Sequence, residues 1–204
     1  MIAVVTGGSG GLGRAIAERL AESGYEVRDW SLSRGLDASN EDQVERAAAE
    51  LEGWDVLVNN AAVLIPRRVV DMTAAEWDAT LAAGLRTAFL CSRAAFRRMA
   101  RGGRIVNVSS LSGWWGAEKF PTMGAYVAAK SGLAGLTEVL AVEGRELGIR
   151  VNAVSPGSID TPMLAVSGAP REPVLAPDAV ARVVAWLASP DSAPLTGSNL
   201  RIDP

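Results

Sequence analysis

Thr6-Gly7-Gly8-Ser9-Gly10-Gly11-Leu12-Gly13 follows at once on the apolar run Ile2–Val5 and leads directly into the helical stretch Arg14-Ala15-Ile16-Ala17. Placement carries more weight here than the letters themselves. Glycines at the end of a strand let the backbone turn tightly and approach a pyrophosphate closely, and the helix that starts behind them offers free N–H groups and the positive end of its dipole. A lone glycine motif is weak evidence. Directly after a first strand it points to a dinucleotide, with a purely structural turn or another cofactor of the same fold as the alternative.

Working outward from that loop, β-branched apolar runs recur at Ile2–Val5, Tyr25–Leu32, Asp55–Val58, Arg104–Val108, Arg150–Val154 and Asn199–Ile202. Amphipathic stretches lie between them: Leu12–Ser23, Glu41–Leu51, Ala74–Ala100, Ala125–Leu147 and Pro177–Ala188. Strands spaced by helices of this length predict βαβ units, hence an α/β fold: a single-domain, Rossmann-like, doubly wound parallel sheet of six to seven strands with helices on both faces. Continuous apolar runs fit strands buried on both sides. The loop Ser167–Pro177, with prolines at 170, 173 and 177, reads as a surface connection within one domain spanning 1–204.

The chain's omissions narrow the chemistry. Its 204 residues contain no histidine, which excludes Ser-His-Asp and Cys-His catalysis and histidine-ligated metal sites. Cys91 is the only cysteine, so there is neither an intrachain disulfide nor a thiolate cluster, and no metal site is expected. A net charge of −3 gives no electrostatic grip on nucleic acid or on an anionic membrane. Met1 leads straight into Ile2-Ala3-Val4-Val5 without a basic segment, and no apolar run approaches the roughly 18 residues of a membrane helix. A soluble, cytoplasmic protein is expected. Chemistry is left to Ser, Thr, Tyr, Lys, Arg, carboxylates or a cofactor.

Two tyrosines and two lysines occur in the whole chain, and one of each forms Tyr126-Val127-Ala128-Ala129-Lys130 inside a helical pattern. Spacing of i,i+4 stacks both side chains on one helix face. The plain reading is a surface pair with a weak cation–π contact. The sharper one is an activated acid, because a fixed ammonium stabilises phenolate and lowers the phenol's pKa from about 10. Upstream, Arg104-Ile105-Val106-Asn107-Val108 ends in Ser109-Ser110, where a strand's carboxyl end faces the ligand crevice of an open α/β sheet. A serine there is commonly a turn residue; beside a Tyr-Lys pair it is a candidate donor to a substrate oxygen.

Taken together, Thr6-Gly7…Gly11-Leu12-Gly13, Asn59-Asn60-Ala61-Ala62, Ser109-Ser110, Tyr126…Lys130 and Val151-Asn152-Ala153-Val154-Ser155-Pro156-Gly157…Thr161-Pro162-Met163 resemble the short-chain dehydrogenase/reductase family over essentially the whole chain. The resemblance implies hydride transfer between a nicotinamide and a carbonyl or alcohol substrate, with Ser110, Tyr126 and Lys130 as the catalytic residues. Tyr126 is the implied general acid or base, Ser110 the donor to the reacting oxygen, and Lys130 the group that lowers the tyrosine pKa and holds the nicotinamide ribose. Implied cofactor positions are Gly7, Ser9, Gly10, Gly11, Leu12 and Gly13 on the loop, Asn60, Ala61 and Ala62 on the adenosine side, and Pro156, Ile159 and Thr161 against the nicotinamide. The helix patterns Ala74–Ala100 and Ala125–Leu147 are similar to those that form subunit contacts in the family, implying a homodimer or homotetramer.

Departures from the family pattern carry their own expectations. Ala62 replaces a glycine. Only Ser31–Leu36 precede Asp37-Ala38, which matches the family's adenine-side pair, so a peripheral βα unit is missing. A shortened segment after Met163 implies a small lid and an open pocket. No acid stands at the expected end of strand two, because Asp29 comes too early, so Ser33 and Arg34 are expected to hold a 2′-phosphate and NADP(H) is favoured over NAD(H). The tryptophans of Trp114-Trp115 are expected over the substrate crevice, suggesting an apolar or aromatic substrate, with plain packing as the alternative. Arg93, Arg97, Arg98, Arg101 and Arg104 read as a solvated helix face, or as a grip on a phosphate-bearing partner. Gly84 occupies the position of an asparagine whose backbone carbonyl, at a helix kink, passes a proton relay through water toward the lysine. Glycine keeps that carbonyl and tolerates irregular backbone, so a helix interruption near Ala83–Leu85 is expected. The alternative is a non-catalytic, dinucleotide-binding regulatory protein; a Rossmann-like methyltransferase is disfavoured by the Tyr-Lys pair.

Overall fold

A computed structural model describes residues 1–51, 53–168 and 174–203. Its sheet has six parallel strands: β1 (Ile2–Thr6), β2 (Glu26–Trp30), β3 (Val56–Asn59), β4 (Arg104–Val108), β5 (Arg150–Pro156) and β6 (Asn199–Ile202). Their order is β2-β1-β3-β4-β5-β6. From β1 the chain winds first to β2 and then back to β3 on the other side, so the order reverses between β1 and β3. A crevice opens at that switch point, beyond the carboxyl ends of the strands. Six strands form rather than seven, because the short segment after β2 makes only a 3₁₀ turn at Leu32–Arg34 and leaves β2 at the edge.

Alternation along each strand builds two apolar layers. Val4, Leu57, Ile105 and Val151 point to one face, where Val44 of α2 (Glu41–Ala49), Leu90 and Ala94 of α4 (Thr87–Arg98) and Leu140 of α5 (Gly124–Leu147) cover them. Ala3, Val5, Val56, Val58 and Val106 point to the other face and meet Ile16 and Leu20 of α1 (Gly11–Glu22) and Val180 and Val184 of α7 (Pro177–Ala188). Both layers are completely excluded from water at their centres.

The helical stretch Ala74–Ala100 is interrupted where the sequence reading expected it, around Ala83–Leu85. It divides into α3 (Ala74–Leu81), a π turn at Ala82–Arg86 and α4, with Gly84 buried at the turn and the Thr87 hydroxyl donating to the Ala82 carbonyl at 3.1 Å. Thr73 and Glu76 close a reciprocal capping box at the start of α3. A short α6 (Pro162–Ser167) follows β5, a helix that no apolar periodicity signalled. And α5, at 24 residues, is long and apolar enough by length and composition to cross a membrane, contrary to the expectation that no run is. Its buried positions Ala129, Lys130, Leu133 and Leu140 are spent on this sheet. Of the loop predicted over Ser167–Pro177, residues 169–173 lie outside the described residues.

One backbone conformation stands out beside the crevice. Thr122 has φ +72°, in the left-handed region that a β-branched side chain disfavours, and its carbonyl accepts from the Arg67 N–H at 2.9 Å. That bond ties the segment after β3 to the loop leading into α5. Asparagine enters this region at lower steric cost while keeping the carbonyl, so Thr122→Asn should stabilise the fold by about 1 kcal/mol. The melting temperature should rise by roughly 2–4 °C in calorimetry; an unchanged or lower value would show that the threonine is unstrained.

Candidate active site

At the cofactor end, glycine is a steric requirement at one position above all. A Cβ on Gly13 would stand 2.0 Å from the Gly7 carbonyl oxygen and 2.6 Å from Asn60 Nδ2. Gly7 itself has φ +66° and donates its N–H to the Trp30 carbonyl at 3.0 Å. The Asn60 amide donates to the carbonyls of Thr6 and Gly7 at 3.0 and 3.2 Å, and the Thr6 hydroxyl accepts the N–H groups of Asn60 and Ala61, both at 3.0 Å. Asn60 therefore positions the loop with its side chain. Behind the loop, α1 starts with no side-chain cap and no acid in its first turn, and a Cβ on Gly10 would meet nothing within 4 Å. Open backbone and a helix N-terminus without an acid in its first turn fit a pyrophosphate. Thr161 packs beside Gly11, its Cγ2 3.6 Å from where a Cβ would lie, so the segment predicted against the nicotinamide adjoins the loop predicted on the phosphates.

Asp29 is where the sequence reading needs correction. Although it sits two residues before Ser31, its carboxylate reaches back over the glycine loop, accepting from Gly8 N–H at 2.8 Å, from the Ser9 hydroxyl at 2.6 Å and from the Ser31 hydroxyl at 3.1 Å. Ser33 joins the cluster through Ser9 at 2.5 Å, and Arg34 Nε lies 3.7 Å from the same carboxylate with a side chain 73% exposed. Register explains the reach, since Asp29 pairs with Val5 and its side chain projects toward the turn that follows β1. Asp37 is tied locally, accepting from the Ser39 N–H and hydroxyl at 2.9 and 2.7 Å.

At the chemical end, the turn after β4 is welded to α5. Ser109 donates to the Lys130 carbonyl at 2.9 Å, Ser131 donates to the Gly113 carbonyl at 3.0 Å, and a Cβ on Gly113 would lie 2.6 Å from the Lys130 backbone. These contacts, invisible to motif reading, hold the turn that carries Ser110 against the helix of Tyr126, and both residues line one cavity. Lys130 Nζ donates to the Val108 carbonyl at 2.6 Å and lies 5.6 Å from the Tyr126 ring centre. The expected lowering of the tyrosine pKa by this ammonium is not what the protein alone displays. Burial pushes the Tyr126 phenol up to about 12, with the Ser110 hydroxyl pulling the other way, and burial pushes Lys130 down to about 8. Gly84 faces Ala129, whose Cβ is 3.5 Å from where a Gly84 Cβ would stand, so the π turn adjoins the helix turn that carries Lys130.

A cavity of about 560 Å³ opens over Tyr126 and Ser110, walled by Leu64, Leu111, Phe120, Met123, Ile159 and Met163 among others, with Thr161 at its side. Phe120 supplies the aromatic wall. Trp114 and Trp115 do not line the cavity, and Trp115 is 97% exposed, because the loop turns their rings away and presents Gly116–Glu118 instead. Arg93, Arg97 and Arg98 converge on Glu45 of α2, at 3.5, 2.9 and 3.0 Å, so this part of the basic cluster is an ion-pair network between two helices. Among the described residues no group of three or more Cys, Asp or Glu side chains could hold a metal ion.

A glycine loop at a switch-point crevice, with Ser110 and Tyr126 on one cavity and Lys130 behind the tyrosine, defines a dinucleotide-dependent oxidoreductase. Comparison with known proteins agrees. The family model described as enoyl-(acyl carrier protein) reductase matches residues 31–204. Cis-4-hydroxycyclohexanecarboxylate dehydrogenase of Sinomonas cyclohexanicum is 36% identical over 238 residues, covering 99% of this chain and 94% of the relative. The crystal structure of a short-chain dehydrogenase from Burkholderia cenocepacia J2315 in complex with NADP superposes with a TM-score of 0.88 at 32% identity, covering 98% and 95% of the two chains. That of 3-ketoacyl-(acyl-carrier-protein) reductase from Brucella melitensis complexed with NADH does so at 0.88 and 26% identity, covering 99% and 96%. The chain belongs to the short-chain dehydrogenase/reductase family and is an NAD(P)-dependent oxidoreductase; the non-catalytic alternative is not favoured.

Lys130 gives a direct test of this electrostatic picture. Between pH 8 and 10.5 the unfolded chain holds a proton on Lys130 that the folded chain has lost, so its contribution makes stability rise with pH, by up to about 1.4 kcal/mol per pH unit. Lys130→Met lacks that contribution. In denaturant titrations across this range, the stability of the unmutated protein relative to Lys130→Met should increase with pH; parallel curves would place Lys130 in a solvated environment.

Proposed function

We propose that the chain, as one dinucleotide-binding unit over residues 1–204, is a soluble cytoplasmic carbonyl reductase or alcohol dehydrogenase acting on an apolar or aromatic small molecule as a homodimer or homotetramer. The observation that carries this reading is that Ser110 and Tyr126 open onto one cavity with Lys130 buried behind the Tyr126 ring, and that Thr161 in the cavity wall lies beside Gly11 of the glycine loop. Gly7, Ser9, Gly10, Gly11, Leu12 and Gly13 cradle the pyrophosphate, with Asn60, Ala61, Ala62 and Asp37 on the adenosine side and Pro156, Ile159 and Thr161 beside the nicotinamide. A bound nicotinamide supplies the hydride. Tyr126 donates its phenolic proton to the carbonyl oxygen as that oxygen gains negative charge, and Ser110 hydrogen-bonds the same oxygen. Lys130 holds the ribose hydroxyls and, once solvated by ligand and water, the developing phenolate. A phenol held near 12 is protonated at neutral pH, the form in which it can donate to a carbonyl oxygen. With Gly84 at the π turn, the relay runs through its backbone carbonyl and water.

We further propose NADP(H) over NAD(H). Support comes from Arg34, whose guanidinium is mostly solvent-facing beside the Ser33 hydroxyl, where it can pair with a 2′-phosphate. Asp29 opposes this preference with its charge and tempers it, since its acceptor bonds to Ser9 and Ser31 take up their hydroxyl protons.

Tyr126→Phe should bind cofactor as before while turnover on the best ketone falls by about 10²–10⁴-fold; near-full activity would overturn the mechanism. Arg34→Ala should weaken NADPH roughly 10- to 100-fold, read by quenching of tryptophan fluorescence, and leave NADH nearly unchanged. Tighter NADH than NADPH binding by the unmutated protein would reverse the cofactor assignment.

A further inference from the structure

The cavity contains a cation that hydride transfer does not use. Beside Tyr126, its charged lining residues are Glu118 and Arg201. Arg201 stands on β6, the edge strand, and its Nε donates to both carboxylate oxygens of Asp203 at 2.9 and 2.8 Å. Both side chains are about half exposed, 51% and 52%, so this pair is weak and solvent-screened. Nη1 and Nη2 have no hydrogen bond or ion pair among the described residues. With Nε occupied, the guanidinium keeps a second edge of parallel N–H donors, the edge that binds a carboxylate or phosphate with two bonds.

Position sets this free edge apart from the reacting end of the cavity. Ser110 follows β4, Arg201 lies on β6, and β5 runs between them. Two strand spacings separate the supporting backbones, about 10 Å. Ile159, Met163 and Leu164 give the same cavity an apolar lining, with Ser158 and Thr161 among its polar residues. Glu118 sits on the loop that enters α5, the helix of Tyr126, and repels an anion placed at that end. We infer that Arg201 reads an anionic group at the far end of the substrate, so that this enzyme's substrates carry a reacting carbonyl or carbinol and, remote from it, a carboxylate or phosphate. This inference rests on the oxidoreductase reading of the same cavity and narrows its substrate class.

The test compares 8-oxononanoate, its methyl ester and 2-oxononanoate with NADPH as reductant. For the unmutated protein kcat/KM should favour 8-oxononanoate over its ester by about tenfold, and 2-oxononanoate, whose carboxylate adjoins the reacting carbon, should gain no such advantage over its own ester. The preference should shrink as salt is added. In Arg201→Met the acid-to-ester ratio should fall to about one, and Arg201→Lys should restore part of it. Equal use of acid and ester by the unmutated protein, or a ratio that survives in Arg201→Met, would overturn the inference. Binding of nonanoate and nonanamide to the NADPH-loaded protein, followed by fluorescence, separates the two levels. No turnover of any ketone by the unmutated protein refutes the carbonyl-reductase reading. Tighter nonanoate than nonanamide binding that depends on Arg201 supports the anion site even then, and equal binding of the two refutes it.

Discussion

The distance between the first helix and the turn that leaves the first strand governs the rest of the carboxyl edge. Gly13 has no Cβ, so α1 lies directly on the Gly7 carbonyl, and the Asn60 amide reaches both Thr6 and Gly7 from the neighbouring strand. Any side chain at position 13 would push helix and turn apart by more than an ångström, since a Cβ there would lie 2.0 Å from a carbonyl oxygen. Separation would break the Asn60 bonds, and with them the registry between β1 and β3 across the switch point. The crevice exists because this contact is glycine to backbone.

A second seam, between the turn after β4 and α5, plays the corresponding part for the chemistry. Gly113 lets the turn rest on the backbone of Lys130, while Ser109 and Ser131 bond across the same seam in opposite directions. Ser110 and Tyr126 are thereby presented by two elements that move as one. The ammonium of Lys130 is almost fully buried and uses the Val108 carbonyl as its partner, an arrangement that keeps a charge available inside the protein at the expense of its proton affinity. Positioning groups of this kind give a site its precision, and none of them touches the reacting atoms.

All six strands and the long helices were legible in the sequence because apolar periodicity records burial on two faces. Tyr126 and Lys130 stood out in the sequence because tyrosine and lysine are so scarce in this chain, and Ser110 because it follows the carboxyl end of a strand; the structure brings Ser110 and Tyr126 to one cavity. What escaped had a physical reason in each case. The carboxylate of Asp29 was discounted for its place in sequence, yet strand register aims it at the glycine loop. Trp114 and Trp115 were given to the crevice, but in an irregular loop no periodicity fixes which way a ring points. The π turn at Ala82–Arg86, by contrast, was foreshadowed by the Gly84 anomaly, although the hydrophobic pattern on either side of it is intact. Gly113 looked like any loop glycine until α5 was seen to lie against it.

Shortening the connection after β2 also changes how the sheet meets its surroundings. A strand at the margin of a sheet offers a row of unsatisfied N–H and C=O groups that can template another chain. In this protein that margin is β2, five residues long, and its sequence Glu26-Val27-Arg28-Asp29-Trp30 places charge at three of the five positions. Glu26 and Arg28 are exposed, and they make stacking of a second strand costly in desolvation. The trimmed border therefore carries its own deterrent to cross-β aggregation, and the sheet can end one strand early without becoming adhesive.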